Sequence, residues 1–120
     1  MNQIDLKGRV AVITGGAQGI GYAISQRMLN SGARVVMWDI DAAKVDEACR
    51  SLSALGPVNG RIVELTDDAA VAAATAATVA EHGAIDILVN NAGATWGAPI
   101  DEYPEDGWDK TVELNVKSIF

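Results

Sequence analysis

The sequence predicts an α/β fold built on a parallel β-sheet, and three observations carry that expectation. Short β-branched runs alternate along the chain with longer stretches of helical period, the pattern of repeated strand–helix–strand units. The first two of these runs are almost wholly apolar, as strands covered on both faces require. The composition is that of a packed domain, with 49% hydrophobic and 21% charged residues in 120. A chain of that size buries about two thirds of its unfolded surface in one core.

Four strands are expected, at Val10 to Thr14, Val35 to Asp39, Arg61 to Leu65 and Ile85 to Asn90. After the first, Ile20, Ile24 and Met28 recur at helical spacing beside Ala23, and Gly32 stands where a helix-ending glycine belongs. Asp41 suits the N-cap of a second helix, whose stripe is Val45, Ala48, Leu52 and Leu55 and whose stop is Gly56-Pro57. The third, Thr66 to Glu81, is rich in alanine, with Val71, Thr75, Thr78 and Val79 as its larger members and Gly83 as its stop. Alanine favours helix but marks no face sharply. Pro104, with its fixed φ, opens a fourth helix that runs through Trp108 and Val112.

Nine Lys and Arg against sixteen Asp and Glu leave a net charge of −7. That balance argues against partners that are phosphate backbones or anionic membranes, so neither nucleic acid nor a membrane is expected. The single cysteine, Cys49, cannot close an internal disulfide, and the start, MNQIDLKGRV, reaches Asp5 and Lys7 before any apolar run. No stretch approaches the roughly 18 apolar residues of a membrane span. A cytoplasmic location is therefore expected.

Between the first strand and its helix lies TGGAQGIG, Thr14 to Gly21. Glycines at such a turn permit positive φ and let backbone N–H groups approach a ligand, while the helix start behind them favours a diphosphate. The spacing is TGxxxGxG, with Gly15, Gly19 and Gly21 in place and Gln18 and Ile20 between them. A glycine-rich turn without ligand is the alternative. Asp39 ends the second strand twenty residues beyond Gly19 and is followed by Ile40. A dinucleotide site places there a carboxylate that accepts from the adenosine ribose hydroxyls and repels a 2′-phosphate. NAD is therefore favoured over NADP, the other reading of Asp39 being a helix cap, a role Asp41 fills better.

Together with NNAG at 90–93 and the asparagine of LNVKS at 114–118, these residues resemble the short-chain dehydrogenase/reductase family over the whole chain. The resemblance is nearest to the group that includes 3-oxoacyl-[acyl-carrier-protein] reductases and sugar dehydrogenases. It implies the N-terminal half of a Rossmann-type doubly wound sheet with strand order 3-2-1-4, residues 1–120 forming one NAD(P)-binding domain. All the candidate groups would then lie at the carboxyl ends of the strands, where such sheets bind ligands. The resemblance also implies that Asn91, Ala92 and Gly93 pass beside the nicotinamide-side ribose, although the amides of Asn90 and Asn91 could equally serve to tie strand ends together.

At the third strand end the family commonly has Asp or Asn against adenine. Here Glu64 stands instead, so Leu65 is expected to offer its backbone N–H while the longer Glu64 side chain folds back or turns to solvent. Asn115 corresponds to a member of a four-residue catalytic set and would hold a proton-relay water. An asparagine within an apolar amphipathic pattern suggests a helix kink; a boundary between two helices is the alternative. His82 is expected to meet a helix C-terminus, Cys49 to fill space, and Trp96 and Tyr103 to lie in a substrate-side loop or simply to pack. No metal cluster is visible.

The family's proton donor is a tyrosine followed four residues later by lysine. Tyr22 is followed at that spacing by Gln26 and Tyr103 by Gly107. The resemblance therefore implies an oxidoreductase, acting on an alcohol or ketone through a nicotinamide cofactor, whose Ser, Tyr and Lys and last three strands lie beyond Phe120. The chain alone is expected to be inactive, and the whole protein a homodimer or homotetramer. A complete, non-catalytic dinucleotide-binding or regulatory module is the competing expectation.

Overall fold

A computed structural model describes residues 4–93 and 105–119. Four parallel strands, β1 (Val10–Thr14), β2 (Arg34–Asp39), β3 (Val58–Ile62) and β4 (Ile87–Val89), form one sheet in the order β3-β2-β1-β4. Between and after them lie α1 (Gly19–Asn30), α2 (Ala42–Leu52), α3 (Asp68–His82) and α4 (Glu105–Asn115), followed by a short 3-10 turn at Lys117–Ile119. The expected fold class and strand order are those observed.

The period-2 pattern of the central strands divides the core into two layers. On one face Ala11, Ile13, Val35 and Met37 pack with Leu29 of α1 and Val45, Ala48 and Leu52 of α2. On the other Val12, Val36, Trp38 and Val63 pack with Ala74 of α3. Asp86 fastens β1 to β4 at their start: its carboxylate accepts from Val10 N at 2.8 Å, and its own N–H donates to Val10 O at 2.9 Å.

Several expected boundaries move, each for a local reason. The third strand lies at 58–62 rather than 61–65. An added Cβ at Gly60 would stand 2.1 Å from Val45 Cγ1, so this glycine lets α2 lie close on the strand. The fourth strand is shorter than expected, 87–89 instead of 85–90. In α1 the buried face is Gly21, Ser25 and Leu29, one position on from the expected stripe. Ile20 is 74% exposed, while Ile24 and Met28 are only partly buried. Small residues at 21 and 25 bring the helix against the glycine turn, and Ser25 Oγ donates back to Gly21 O at 2.9 Å.

Asp41 caps α2 as expected, accepting from Lys44 N at 3.1 Å, but the helix ends at Leu52 and leaves Leu55 exposed. Helix α3 starts later than Thr66 because Asp67 is its cap, accepting from Ala69 N at 3.0 Å and Ala70 N at 3.2 Å. Gly83 ends it with φ 88° and an N–H bond to Val79 O at 2.7 Å. Pro104, Trp96 and Tyr103 lie outside the described residues.

Candidate functional site

The four strand ends converge on one cleft of about 300 Å³. Of the residues picked from sequence it gathers Gly15 and Gln18 after β1, Asp39 and Ile40 after β2, Glu64 and Leu65 after β3, and Asn91, Ala92 and Gly93 after β4. Trp38, Val63 and Leu114 complete the lining. Glu64 and Leu65 reach it although they lie beyond β3, because Val63 N extends the ladder by one bond to Asp39 O at 3.0 Å and keeps the chain on course.

Gly19, Ile20 and Gly21 do not line this cleft; they form the start of α1 beside it. Gly15 and Gly19 have φ of 63° and 57°, the left-handed region that glycine enters without strain. At Gly21 an added Cβ would sit 2.0 Å from Gly15 O, so helix and turn can meet only without a side chain there. Gln18, the N-cap of α1, makes no side-chain cap bond, and the first-turn N–H groups of a helix have no partner within the helix itself. An oriented set of amides beside a glycine turn matches the donor set a diphosphate requires.

Thr14, the last residue of β1 and the first of the TGxxxGxG motif, organises the opposite wall through contacts that the motif alone does not specify. Its Oγ1 donates to Val89 O at 3.1 Å and accepts from Asn91 N at 2.9 Å and Ala92 N at 3.1 Å. Asn91 Nδ2 adds a bond to Gly15 O at 3.3 Å. The NNAG segment therefore ties strand ends together through Asn91 and lines the cleft at the same time.

Asp39 Oδ1 accepts from Ile40 N at 2.8 Å and Asp41 N at 3.2 Å, which orients the carboxylate within its own turn at the cleft edge. Glu64 folds back: its Oε1 accepts from Thr66 Oγ1 at 2.8 Å. Asn115 is the last residue of α4, where the α-helix gives way to the 3-10 turn. Its Oδ1 lies 3.0 Å from the place a Cβ would take on Gly93, so the two motifs meet at one corner of the cleft. Val116 N still donates to Val112 O at 3.0 Å across this junction, so Asn115 stands at an irregularity of the helix.

Two residues outside the cleft behave less simply. His82 is the last residue of α3, at the helix C-terminus as expected, and its nearly buried ring nitrogens make no hydrogen bond. Burial, and then the nearby Asp46, raise the Cys49 thiol above its ordinary value of 9.0, in keeping with a space-filling role.

An open parallel sheet with a glycine turn, an acidic second-strand end and a cleft at the carboxyl edge defines a nucleotide-binding α/β protein. The family model for short chain dehydrogenases matches residues 9–120, and the chain belongs to that family. The chain is 41% identical over 115 residues to the rhamnolipids biosynthesis 3-oxoacyl-[acyl-carrier-protein] reductase of Pseudomonas aeruginosa, covering 96% of this chain and 45% of that one. It is 38% identical to a 3alpha-hydroxysteroid dehydrogenase of Mediterraneibacter gnavus, covering 96% and 47%. Among solved structures, the Pseudomonas aeruginosa RhlG/NADP active-site complex superposes with a TM-score of 0.93 at 40% identity, covering all of this chain and 47% of that one. An NAD+-bound xylitol dehydrogenase superposes at 0.91 with 27% identity, covering 94% and 44%. The chain thus spans about half the length of the curated relatives it matches, and its neighbours include both NADP and NAD complexes. No helix among the described residues is long and apolar enough to cross a membrane.

Proposed function

We propose that this chain forms the cofactor half of an oxidoreductase that moves a hydride between a nicotinamide dinucleotide and an alcohol or ketone. The convergence of four strand ends on one cleft beside a glycine-rich turn carries this reading. The turn at Gly15 to Gly21 and the start of α1 hold the diphosphate through backbone N–H groups. Asp39 accepts from the adenosine ribose hydroxyls and disfavours a 2′-phosphate, so NAD is preferred. Leu65 and Ile40 flank the adenine, with Glu64 turned back onto Thr66 and contributing little to the base. Ala92 and Gly93 leave room for the second ribose.

When bound, the nicotinamide supplies the carbon that gives or takes hydride. Asn115, at the corner it shares with Gly93, holds a water in the path of the oxygen-bound proton. The proton donor of the reaction is a Tyr-x-x-x-Lys pair that this sequence does not contain, so the 120-residue chain binds cofactor without turnover and acts as part of a larger, homodimeric or homotetrameric enzyme.

The test is calorimetric titration of NAD and NADP into the chain and into an Asp39→Asn variant. Hydrogen bonds to a charged group contribute about 1.5–3 kcal/mol, so the variant should bind NAD about 10- to 150-fold more weakly. Unchanged affinity would remove Asp39 from the site. A folded chain that binds neither cofactor would overturn the dinucleotide reading altogether.

A further inference from the structure

The main cleft is acidic where a further phosphate would enter. Its lining holds two carboxylates, Asp39 and Glu64, and no cation among the described residues. Beside it lies a second hollow of about 290 Å³ between the start of α1 and α2, where Lys44, Glu47, Tyr22 and Ser51 stand. Gln18 lines both spaces. Lys44 Nζ donates to Gln18 Oε1 across that partition. The ammonium is therefore one amide side chain away from the cleft that Asp39 lines.

The surroundings hold Lys44 in reach without immobilising its charge. Its backbone N–H is bound by the Asp41 cap in the first turn of α2, so the stem leaves from a fixed helical position. The head group is exposed, and its partner is a neutral amide oxygen rather than a carboxylate. Bonds between an ammonium and a phosphate are about twice as strong as those to neutral acceptors, so a phosphate competes favourably with the Gln18 amide for Lys44. Asp39 Oδ1 is at the same time engaged by the two amides of its own turn.

We propose that Lys44 is a specificity-determining residue of the cofactor cleft: released from Gln18, its ammonium pairs with the 2′-phosphate of NADP and offsets the repulsion from Asp39. The site then prefers NAD while still accepting NADP. This inference rests on the dinucleotide reading of the cleft.

The probes are AMP and 2′,5′-ADP, which differ in the 2′-phosphate alone. They are titrated into the 120-residue chain and its Lys44→Gln and Lys44→Arg variants at low and high salt, with circular dichroism reporting the fold. Lys44→Gln should weaken 2′,5′-ADP about fivefold to thirtyfold while AMP changes by less than about twofold. Lys44→Arg should retain most of the 2′,5′-ADP affinity, and added salt should shrink the difference between the wild type and Lys44→Gln. Equal weakening of both probes, or no change in either, would overturn the role of Lys44, as would a wild type that binds AMP but not 2′,5′-ADP. A folded wild type that binds neither AMP nor NAD would overturn the dinucleotide reading first, and the role of Lys44 with it.

Discussion

Thr14 shows how one hydroxyl can set the geometry of a cleft. Its oxygen satisfies two N–H groups of the NNAG segment and donates to Val89 O, so the segment is positioned by β1 as much as by its own strand. Thr14→Val keeps shape and volume but leaves Ala92 N without that acceptor and Asn91 N with only its 3.1 Å bond to Val89 O. The expected cost is about 2–3 kcal/mol in urea unfolding, with a much smaller loss for Thr14→Ser. Cys49 supplies a prediction in pH. Its folded value lies above 9.0, so the folded chain holds this proton more tightly than the unfolded one, and the associated stability is complete below pH 9 and lost as pH rises through the folded value. Cys49→Ala should flatten the alkaline fall in thermal stability, and iodoacetamide should label native Cys49 more slowly than the unfolded thiol at equal pH.

At the scale of elements, close approach decides where helices can sit. Gly60 lets α2 settle on β3, and Gly60→Ala places a methyl group against Val45 Cγ1. Overpacking of this kind costs about 1–3 kcal/mol, and Val45→Ala in the same chain should recover part of it because the colliding atom is gone. Gly21 differs, since its neighbour is the backbone oxygen of Gly15 and cannot be trimmed. Asp67 is the cap of an alanine-rich helix with few large side chains to anchor it, so Asp67→Ala should cost about 1 kcal/mol, read by urea unfolding followed by circular dichroism. Caps were legible in sequence at Asp41 and Gly83. The position of β3 was not, because the reason for Gly60 lies in α2, a separate segment of chain.

For the whole molecule, the two sheet edges differ in character. At β3, Arg61 pairs with Glu81 of α3 at 2.9 Å, and Asn59 lies nearby, so that edge carries charge. At β4, Leu88 is 53% exposed, and Trp108, Val116 and Ile119 of the α4 region are exposed as well. Unpaired apolar edges invite association. The 120-residue chain should therefore self-associate as its concentration rises, and Leu88→Lys should lower the mean mass seen in sedimentation without loss of helix content.

Periodicity, β-branched runs and the glycine turn were local signals, and from them the sequence by itself determined the α/β class, the succession of elements, the strand order by family resemblance and most of the cleft. Strand ends at 15, 39, 64 and 91 could be named because a parallel sheet always puts its carboxyl ends on one side. Tertiary structure alone decided which face of α1 is buried, where β3 pairs, what Thr14 and Asn91 bind, and that Lys44 stands beside Gln18. Those are contacts between segments far apart in the chain, determined by how closely backbones approach and where side chains find partners, and no pattern within a single segment records them.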